Sequence, residues 1–188
     1  MAVTAGSKAP DFKIKDQDRN DVILSNLKGK KVVLYFYPKD MTPGCTAEAC
    51  SLRDNYKALQ KAGYEVFGIS SDDEKSHRKF IEKEKLPFRL LADTDKSVHG
   101  KYGTWVEKSM YGRKYMGTAR VTFIIDENGV ILEVIEKVDT KNHAQQILGS
   151  SPASNETKPK PKPSKKVAAR PVKKVVKKVA KKAVKKKK

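Results

Sequence analysis

The chain has 188 residues, enough for one sizeable core and an additional segment, and its net charge of +19 is unevenly distributed. Residues 151–188 contain 15 lysines and one arginine against one glutamate, whereas residues 1–150 carry a net charge of only about +4. No apolar run follows Met1 and no apolar stretch could span a bilayer, so we expect neither a signal peptide nor a membrane span and place the protein in the cytoplasm.

The first part of the chain predicts a hairpin followed by a buried strand. Short strands are expected at residues 9–14 and 22–24, on either side of a polar turn. Residues 31–37 are rich in β-branched and aromatic side chains, which is typical of a buried strand. Pro38 ends this strand, because proline has no amide proton to donate to the ladder.

The next segment predicts a helix with a cysteine in its first turn. Thr42 suits the N-cap, since its hydroxyl oxygen can accept a hydrogen bond from a free helix amide, and Pro43 suits the first helical position. A helix N-terminus favours an anion, so we expect Cys45 to be a reactive thiolate. Apolar residues at three- and four-residue steps predict a helix over residues 43–60, with an inward stripe formed by Cys45, Ala49, Leu52, Tyr56 and Leu59.

Cys50 is the second cysteine of the chain and lies off this stripe. In an ideal helix the Cα atoms of Cys45 and Cys50 are about 8.6 Å apart, beyond the limit of roughly 7 Å for a disulfide. A disulfide between them therefore requires the helix to open. Two other interpretations are a pair of buried structural cysteines and a zinc site, although zinc needs two more ligands and no histidine is close in sequence.

Predicted strands and helices alternate along the rest of the chain. Strands are expected at residues 64–70 and 88–92, and helices over residues 73–85, 97–102 and 142–148. Pro87 is expected to close the second of the long helices. This alternation predicts a mixed α/β sheet with helices on both faces.

Two further features of this region carry predictions. Residues 120–126 and 130–138 are expected to pair as a hairpin across an Asp-Glu-Asn-Gly turn. His77, His99 and His143 are scattered among polar neighbours, so we expect them at the surface rather than in a ligand site.

The cysteine segment resembles a known family. The spacing Pro38-x-x-x-Thr42-x-x-Cys45 resembles the active-site signature of the peroxiredoxins. The full string over residues 37–50 is similar to the peroxiredoxin Q, or bacterioferritin comigratory protein, branch: Tyr-Pro-Lys-Asp-x-Thr-Pro-Gly-Cys-Thr-x-Glu-x-Cys. Later blocks at residues 103–108, 111–117 and 120–126 extend the resemblance, which covers about residues 5–148. It implies a thioredoxin-like fold for residues 1–149 and a monomer.

The resemblance also implies a chemistry. Cys45 would be the peroxidatic cysteine that attacks hydrogen peroxide or organic hydroperoxides, and Cys50 the resolving cysteine that forms a disulfide with it. Thr42 and the Cys45 amide would hold the peroxide, Arg120 would be the cation beside the sulfur, and Pro38 would shield the pocket from water. Thioredoxin is the expected reductant, and no cofactor or metal is expected.

Residues 150–188 predict a disordered basic tail rather than a second core. Alternating lysine and proline at residues 158–163 indicate an extended spacer, and residues 173–184 repeat valine, alanine and lysine every four residues. The segment resembles the tails of linker histones and bacterial histone-like proteins, which implies non-specific DNA binding through residues 158–188. A nucleoid location, or a nuclear one in a eukaryotic host, would follow.

Three alternatives stay open for the tail and for the whole protein. The tail could bind anionic membrane, although it lacks large apolar residues, or it could serve solubility or nuclear import. The protein could also be a nucleic-acid-binding protein whose peroxiredoxin domain is secondary.

Overall fold

The computed structural model describes residues 3–110 and 112–149. The predicted basic tail of residues 150–188 lies outside this range. The strands are β1 (Lys13–Lys15), β2 (Asp21–Ile23), β3 (Lys31–Phe36), β4 (Tyr64–Ser70), β5 (Arg89–Ala92), β6 (Trp105–Met110), β7 (Arg113–Thr118), β8 (Val121–Ile125) and β9 (Ile131–Ile135). The helices are a 3-10 turn (Leu24–Leu27), α1 (Pro43–Asp54), α2 (Tyr56–Lys61), α3 (Glu74–Glu84), α4 (Ser97–Tyr102) and α5 (His143–Gly149).

Five strands form the central sheet in the order β5-β4-β3-β8-β9. β3 and β4 pair in parallel, as do β4 and β5, whereas β8 runs antiparallel to both β3 and β9. β3 is the middle strand, and its carboxyl end leads directly into α1. The predicted mixed sheet is therefore confirmed, with β3 placed to deliver Cys45 at its end.

Both faces of the sheet are buried. Alternating side chains of β3 divide between two apolar clusters, with Val33 and Tyr35 in one and Val32 and Leu34 in the other. Helices α1, α2, α3 and α5 cover the first face, and α4 with the β1–β2 hairpin covers the second. Coverage of both faces explains why β3 and β4 are buried along almost their whole length rather than at alternate positions.

Several predicted elements are confirmed at their expected places. The strand at 64–70 and the helix at 97–102 match the observed β4 and α4, and β8 and β9 pair across the turn at residues 126–129. The opening hairpin is also present, as a separate two-stranded sheet of β1 and β2. No helix of residues 3–110 and 112–149 has the length and apolar character needed to cross a membrane.

Two predictions about local structure are wrong, and one pair of strands was not predicted. The helix expected over residues 43–60 is divided into α1 and α2 at Asn55, whose backbone lies outside the helical region. Lys85, with a left-handed φ of 53°, ends α3, so Pro87 is not the stop signal. The antiparallel pair of β6 (Trp105–Met110) and β7 (Arg113–Thr118) is an element that the sequence analysis did not predict.

Candidate active site

Cys45 lies in the first turn of α1 and is buried, with 1% of its surface exposed. Thr42 occupies the N-cap position in an extended conformation and Pro43 begins the helix, as predicted. The predicted capping bond is absent, because the Thr42 hydroxyl donates to the Lys39 carbonyl at 3.0 Å instead of accepting from the helix. Thr46 donates the first helical hydrogen bond, to the Thr42 carbonyl at 2.8 Å. The amide of Cys45 lies one residue before the first donor of the helix, so it has no partner within α1 and can donate to a ligand.

Arg120 is the cation that the structure brings to Cys45. Its Nη2 donates to Cys45 Sγ at 3.2 Å, across 75 residues of sequence. Arg120 directly precedes β8, and β8 pairs antiparallel with β3. The start of β8, next to Arg120, therefore lies beside the end of β3, which leads into α1. A guanidinium at this distance stabilises negative charge on the sulfur.

Glu48 is a site residue for which the sequence predicted no role. It is fully buried, lies one helical turn after Cys45 on α1, and accepts a hydrogen bond from Arg120 Nη1. Burial alone would lower the pKa of Arg120. The negative charge of Glu48 and the hydrogen bond with Cys45 outweigh burial, so the pKa of Arg120 is raised overall. The sequence could have indicated Glu48, because it lies three residues after Cys45 and therefore on the same side of the predicted helix.

Lys108 supplies a second positive charge from β6. Its side chain is half-buried and donates to the Thr118 carbonyl. Burial lowers the pKa of Lys108, and repulsion from Arg120 lowers it further. The β6–β7 hairpin therefore borders the region occupied by Arg120 and Cys45.

Aromatic side chains from the end of β3 lie beneath the site. The rings of Tyr35 and Tyr37 stack with centroids 5.3 Å apart, and both are buried. Burial, with Glu48 nearby, raises the pKa of Tyr35 well above its usual value, so its hydroxyl stays neutral. Pro38 follows Tyr37 and is half-buried at the start of the loop to α1. Tyr35 and Tyr37 belong to the same buried apolar cluster as Cys45.

Cys50 lies farther along α1 and is half-buried, and both cysteines are free thiols. Its Sγ lies 3.7 Å from Oε2 of Glu84 at the end of α3. Because α1 is continuous from Pro43 to Asp54, the two thiols are carried by one intact helix.

The expectation that the three histidines lie at the surface is wrong. All three are fully buried and each lies against a buried carboxylate: His77 against Asp40, His99 against Asp93 and His143 against Glu48. Polar sequence neighbours misled the prediction, because residues adjacent in a helix point in different directions. Within the described residues, no group of three or more histidine, cysteine or acidic side chains is arranged to hold a metal ion.

Comparison with known proteins identifies the family. Residues 5–134 match the model of the AhpC/TSA family. The chain belongs to the AhpC/TSA family. Peroxiredoxin Bcp of Escherichia coli strain K12 is 47% identical over 144 residues, which cover 77% of this chain and 92% of the relative.

Solved structures of peroxiredoxins share the fold. Peroxidoxin BcpB from Mycobacterium tuberculosis superposes with a TM-score of 0.70 at 35% identity, over 79% of this chain and 96% of that chain. A structure of the bacterioferritin comigratory protein of Xanthomonas campestris, from a study of its alkyl peroxide reduction activity, superposes with a TM-score of 0.70 at 32% identity. The match covers 74% of this chain and 88% of that chain. The predicted thioredoxin-like fold and the predicted Bcp and peroxiredoxin Q likeness are confirmed. This AhpC/TSA member is a peroxiredoxin, an enzyme that reduces peroxides.

Proposed function

We propose that Cys45 is the peroxidatic cysteine of this peroxiredoxin and Cys50 its resolving cysteine. The observation that carries the assignment is the 3.2 Å contact between Arg120 Nη2 and Cys45 Sγ at a helix start. A sulfur in this position combines a positive neighbour with the unpaired amides of the first turn.

The proposed first step is attack of the Cys45 thiolate on one peroxide oxygen. A bond forms between sulfur and that oxygen while the O–O bond breaks, which leaves a sulfenic acid and an alkoxide or hydroxide that takes up a proton. Arg120, which contacts the sulfur, and the Cys45 amide would stabilise the charge on the oxygens. Thr42, whose backbone occupies the N-cap position, would orient the peroxide when its hydroxyl turns from the Lys39 carbonyl, and Pro38 would limit access of water to the sulfur.

The proposed second step joins the two cysteines. The Cys50 sulfur attacks the Cys45 sulfenic acid, water leaves, and a disulfide remains. Since both residues lie in the continuous helix α1, its first turns must unwind for the sulfurs to meet. An external dithiol, which we propose is thioredoxin, then returns two electrons and two protons. No cofactor enters these steps, and hydrogen peroxide and organic hydroperoxides are both proposed substrates.

Peroxide turnover coupled to thioredoxin and thioredoxin reductase tests this assignment. Wild-type protein should turn over continuously, Cys45→Ser should consume no peroxide, and Cys50→Ser should consume about one equivalent and then stop. Retention of turnover in Cys45→Ser would refute the role of Cys45. Turnover with glutathione and glutaredoxin but not with thioredoxin would refute the reductant alone.

We propose further that residues 1–149 form one peroxiredoxin domain, active as a monomer, and that residues 150–188 are an appended disordered tail that binds DNA without sequence preference. The support is the tail's net charge of +15, because lysines that neutralise phosphates release counterions. The protein would then be cytoplasmic and associated with the nucleoid, or nuclear in a eukaryotic host.

Gel shifts at rising salt, with and without residues 151–188, test the tail. The full chain should shift several unrelated duplexes, with an affinity that falls steeply with salt, and the shortened chain should shift none. A shift that is insensitive to salt or independent of the tail would contradict the proposal.

A further inference from the structure

His143 is a buried residue that the chemistry above does not use. It begins α5 and lies between α1 and β8, with no exposed surface. Its Nδ1 lies 3.2 Å from Glu48 Oε1, and its Nε2 lies 3.0 Å from the hydroxyl of Thr122 on β8. The direction of the Nδ1 contact departs from ideal hydrogen-bond geometry, and neither of its atoms has another hydrogen-bond partner among the described residues. We treat the contact as a pair, because each atom would otherwise be buried and unsatisfied.

The partners of His143 favour one tautomer. The Thr122 hydroxyl can donate to Nε2, which leaves the ring proton on Nδ1, the nitrogen that lies 3.2 Å from Glu48 Oε1. The other oxygen of Glu48 accepts from Arg120 Nη1. The side chain of Glu48 thus lies between His143, which faces Oε1, and Arg120, which donates to Oε2, and it links the imidazole to the guanidinium.

We infer that His143 is a positioning residue for peroxide reduction, which acts through Glu48 to hold Arg120 against Cys45. The inference rests on the proposed roles of Cys45 and Arg120. A chain of contacts then runs from α5 to the reacting sulfur: His143, Glu48, Arg120, Cys45.

The start of α5 is itself fixed to the helix that carries the site. The amide of Ala144 donates to the hydroxyl of Ser51 at 3.4 Å, and the side-chain amide of Gln145 donates to Asn55 Oδ1 at 3.3 Å. The ring of Tyr35 packs edge-on against His143 with centroids 6.3 Å apart. With the imidazole immobilised on these sides, its donor has a defined direction.

Two substitutions at His143 separate its donor from its bulk. In a Cys50→Ser parent, the rate constant for oxidation of Cys45 by hydrogen peroxide is measured for His143→Asn, whose amide nitrogen lies near the Nδ1 position, and for His143→Gln, whose amide lies nearer Nε2. We expect His143→Gln to lower the rate constant by about tenfold or more, because a small displacement of a positioning group has a large effect on rate. His143→Asn should restore most of the rate, and Lys141→Gln, an exposed change two residues earlier, should keep it unchanged.

A double-mutant cycle tests whether the effect passes through Glu48. Glu48→Gln alone should lower the rate constant, and adding His143→Gln should lower it no further. Thr122→Val removes the hydroxyl that selects the tautomer and should also lower the rate constant. This variant tests the inference if His143→Gln does not fold. A wild-type rate constant in His143→Gln would overturn the inference, as would fully additive effects of His143→Gln and Glu48→Gln. If His143→Gln does not fold, a wild-type rate constant in Thr122→Val would overturn it. An inert Cys50→Ser parent would instead overturn the role of Cys45.

Discussion

The Sγ atom of Cys50 lies 3.7 Å from Oε2 of Glu84, and this contact joins the outer face of α1 to the end of α3. A second bond strengthens the same junction, since Arg53 Nη1 donates to the Glu84 carbonyl at 2.6 Å. Burial raises the pKa of Cys50, and the charge and hydrogen bond of Glu84 raise it further, while Arg53 opposes them. Burial and Glu84 thus both favour the protonated thiol of Cys50 while α1 is intact.

Replacing Glu84 should make Cys50 ionise more readily. In a Cys45→Ser parent, Glu84→Gln removes the negative charge beside the thiol, so the pKa of Cys50 should fall and its alkylation by iodoacetamide should begin at lower pH. Glu82→Gln changes an exposed carboxylate on the same helix and should leave the alkylation profile in place. Superimposable profiles for Glu84→Gln and its parent would show that Glu84 does not act on the thiol.

Oxidation should loosen α1 but not α3. Because the disulfide cannot form across an intact helix, amides over residues 45–54 should exchange faster in the oxidised protein than in the reduced protein. Hydrogen exchange followed by mass spectrometry measures this, with amides of α3 as the internal reference. Cys50→Ser given the same peroxide should keep its protection. Unchanged protection across residues 45–52 in the oxidised wild type would argue against unwinding.

Acid should destabilise the fold through Asp93. Burial alone would raise the pKa of this carboxyl, but hydrogen bonds from the His99 ring and from the amides of His99 and Val98 lower it overall. A folded pKa below the unfolded value contributes stability that is present above about pH 4 and is lost as pH falls through the folded pKa. Asp93→Asn should therefore lower the free energy of unfolding at pH 7 by about 3 kcal/mol and flatten its decline in acid.

Urea unfolding between pH 2 and pH 7 measures this dependence. Glu136→Gln, a change at an exposed carboxylate, should reproduce the wild-type curve. An equally steep decline in Asp93→Asn would place the acid sensitivity in other carboxyls.

The sequence predicted those parts of the fold that depend on local pattern. The apolar run of β4 and the Asn128-Gly129 turn each carry their structural signal within a few residues. The start of α1 and the burial of Cys45 followed in the same way from spacing. Thr42 shows the limit, because it takes the N-cap backbone position while its hydroxyl bonds elsewhere.

Contacts between distant segments could not be predicted in this way. Arg120 lies 75 residues from Cys45, and it was chosen through family resemblance rather than from its surroundings in sequence. Glu48 and His143 meet only when α5 packs on α1, so a polar neighbourhood suggested a surface histidine where the fold makes a buried pair. Burial of a polar residue depends on the partner that the fold supplies, and local composition does not identify that partner.

Adding a methyl group at Gly44 should slow the chemistry without weakening the fold. A Cβ atom there would lie 3.3 Å from Nη2 of Arg120, which cannot retreat freely because Cys45 and Glu48 both hold the guanidinium. Gly44→Ala should displace Arg120 by a few tenths of an ångström and lower the rate constant for oxidation of Cys45 about tenfold.

The same change should leave stability equal or higher, because alanine favours a helix over glycine by about 0.5–1 kcal/mol. Stopped-flow oxidation by hydrogen peroxide and urea unfolding report the two effects separately. Gly100→Ala in α4, where a Cβ meets no atom within 4 Å, is the matched control and should change stability alone. A rate loss in Gly44→Ala that is accompanied by an equal loss in Gly100→Ala would mean that helix propensity, and not the position of Arg120, governs the reaction.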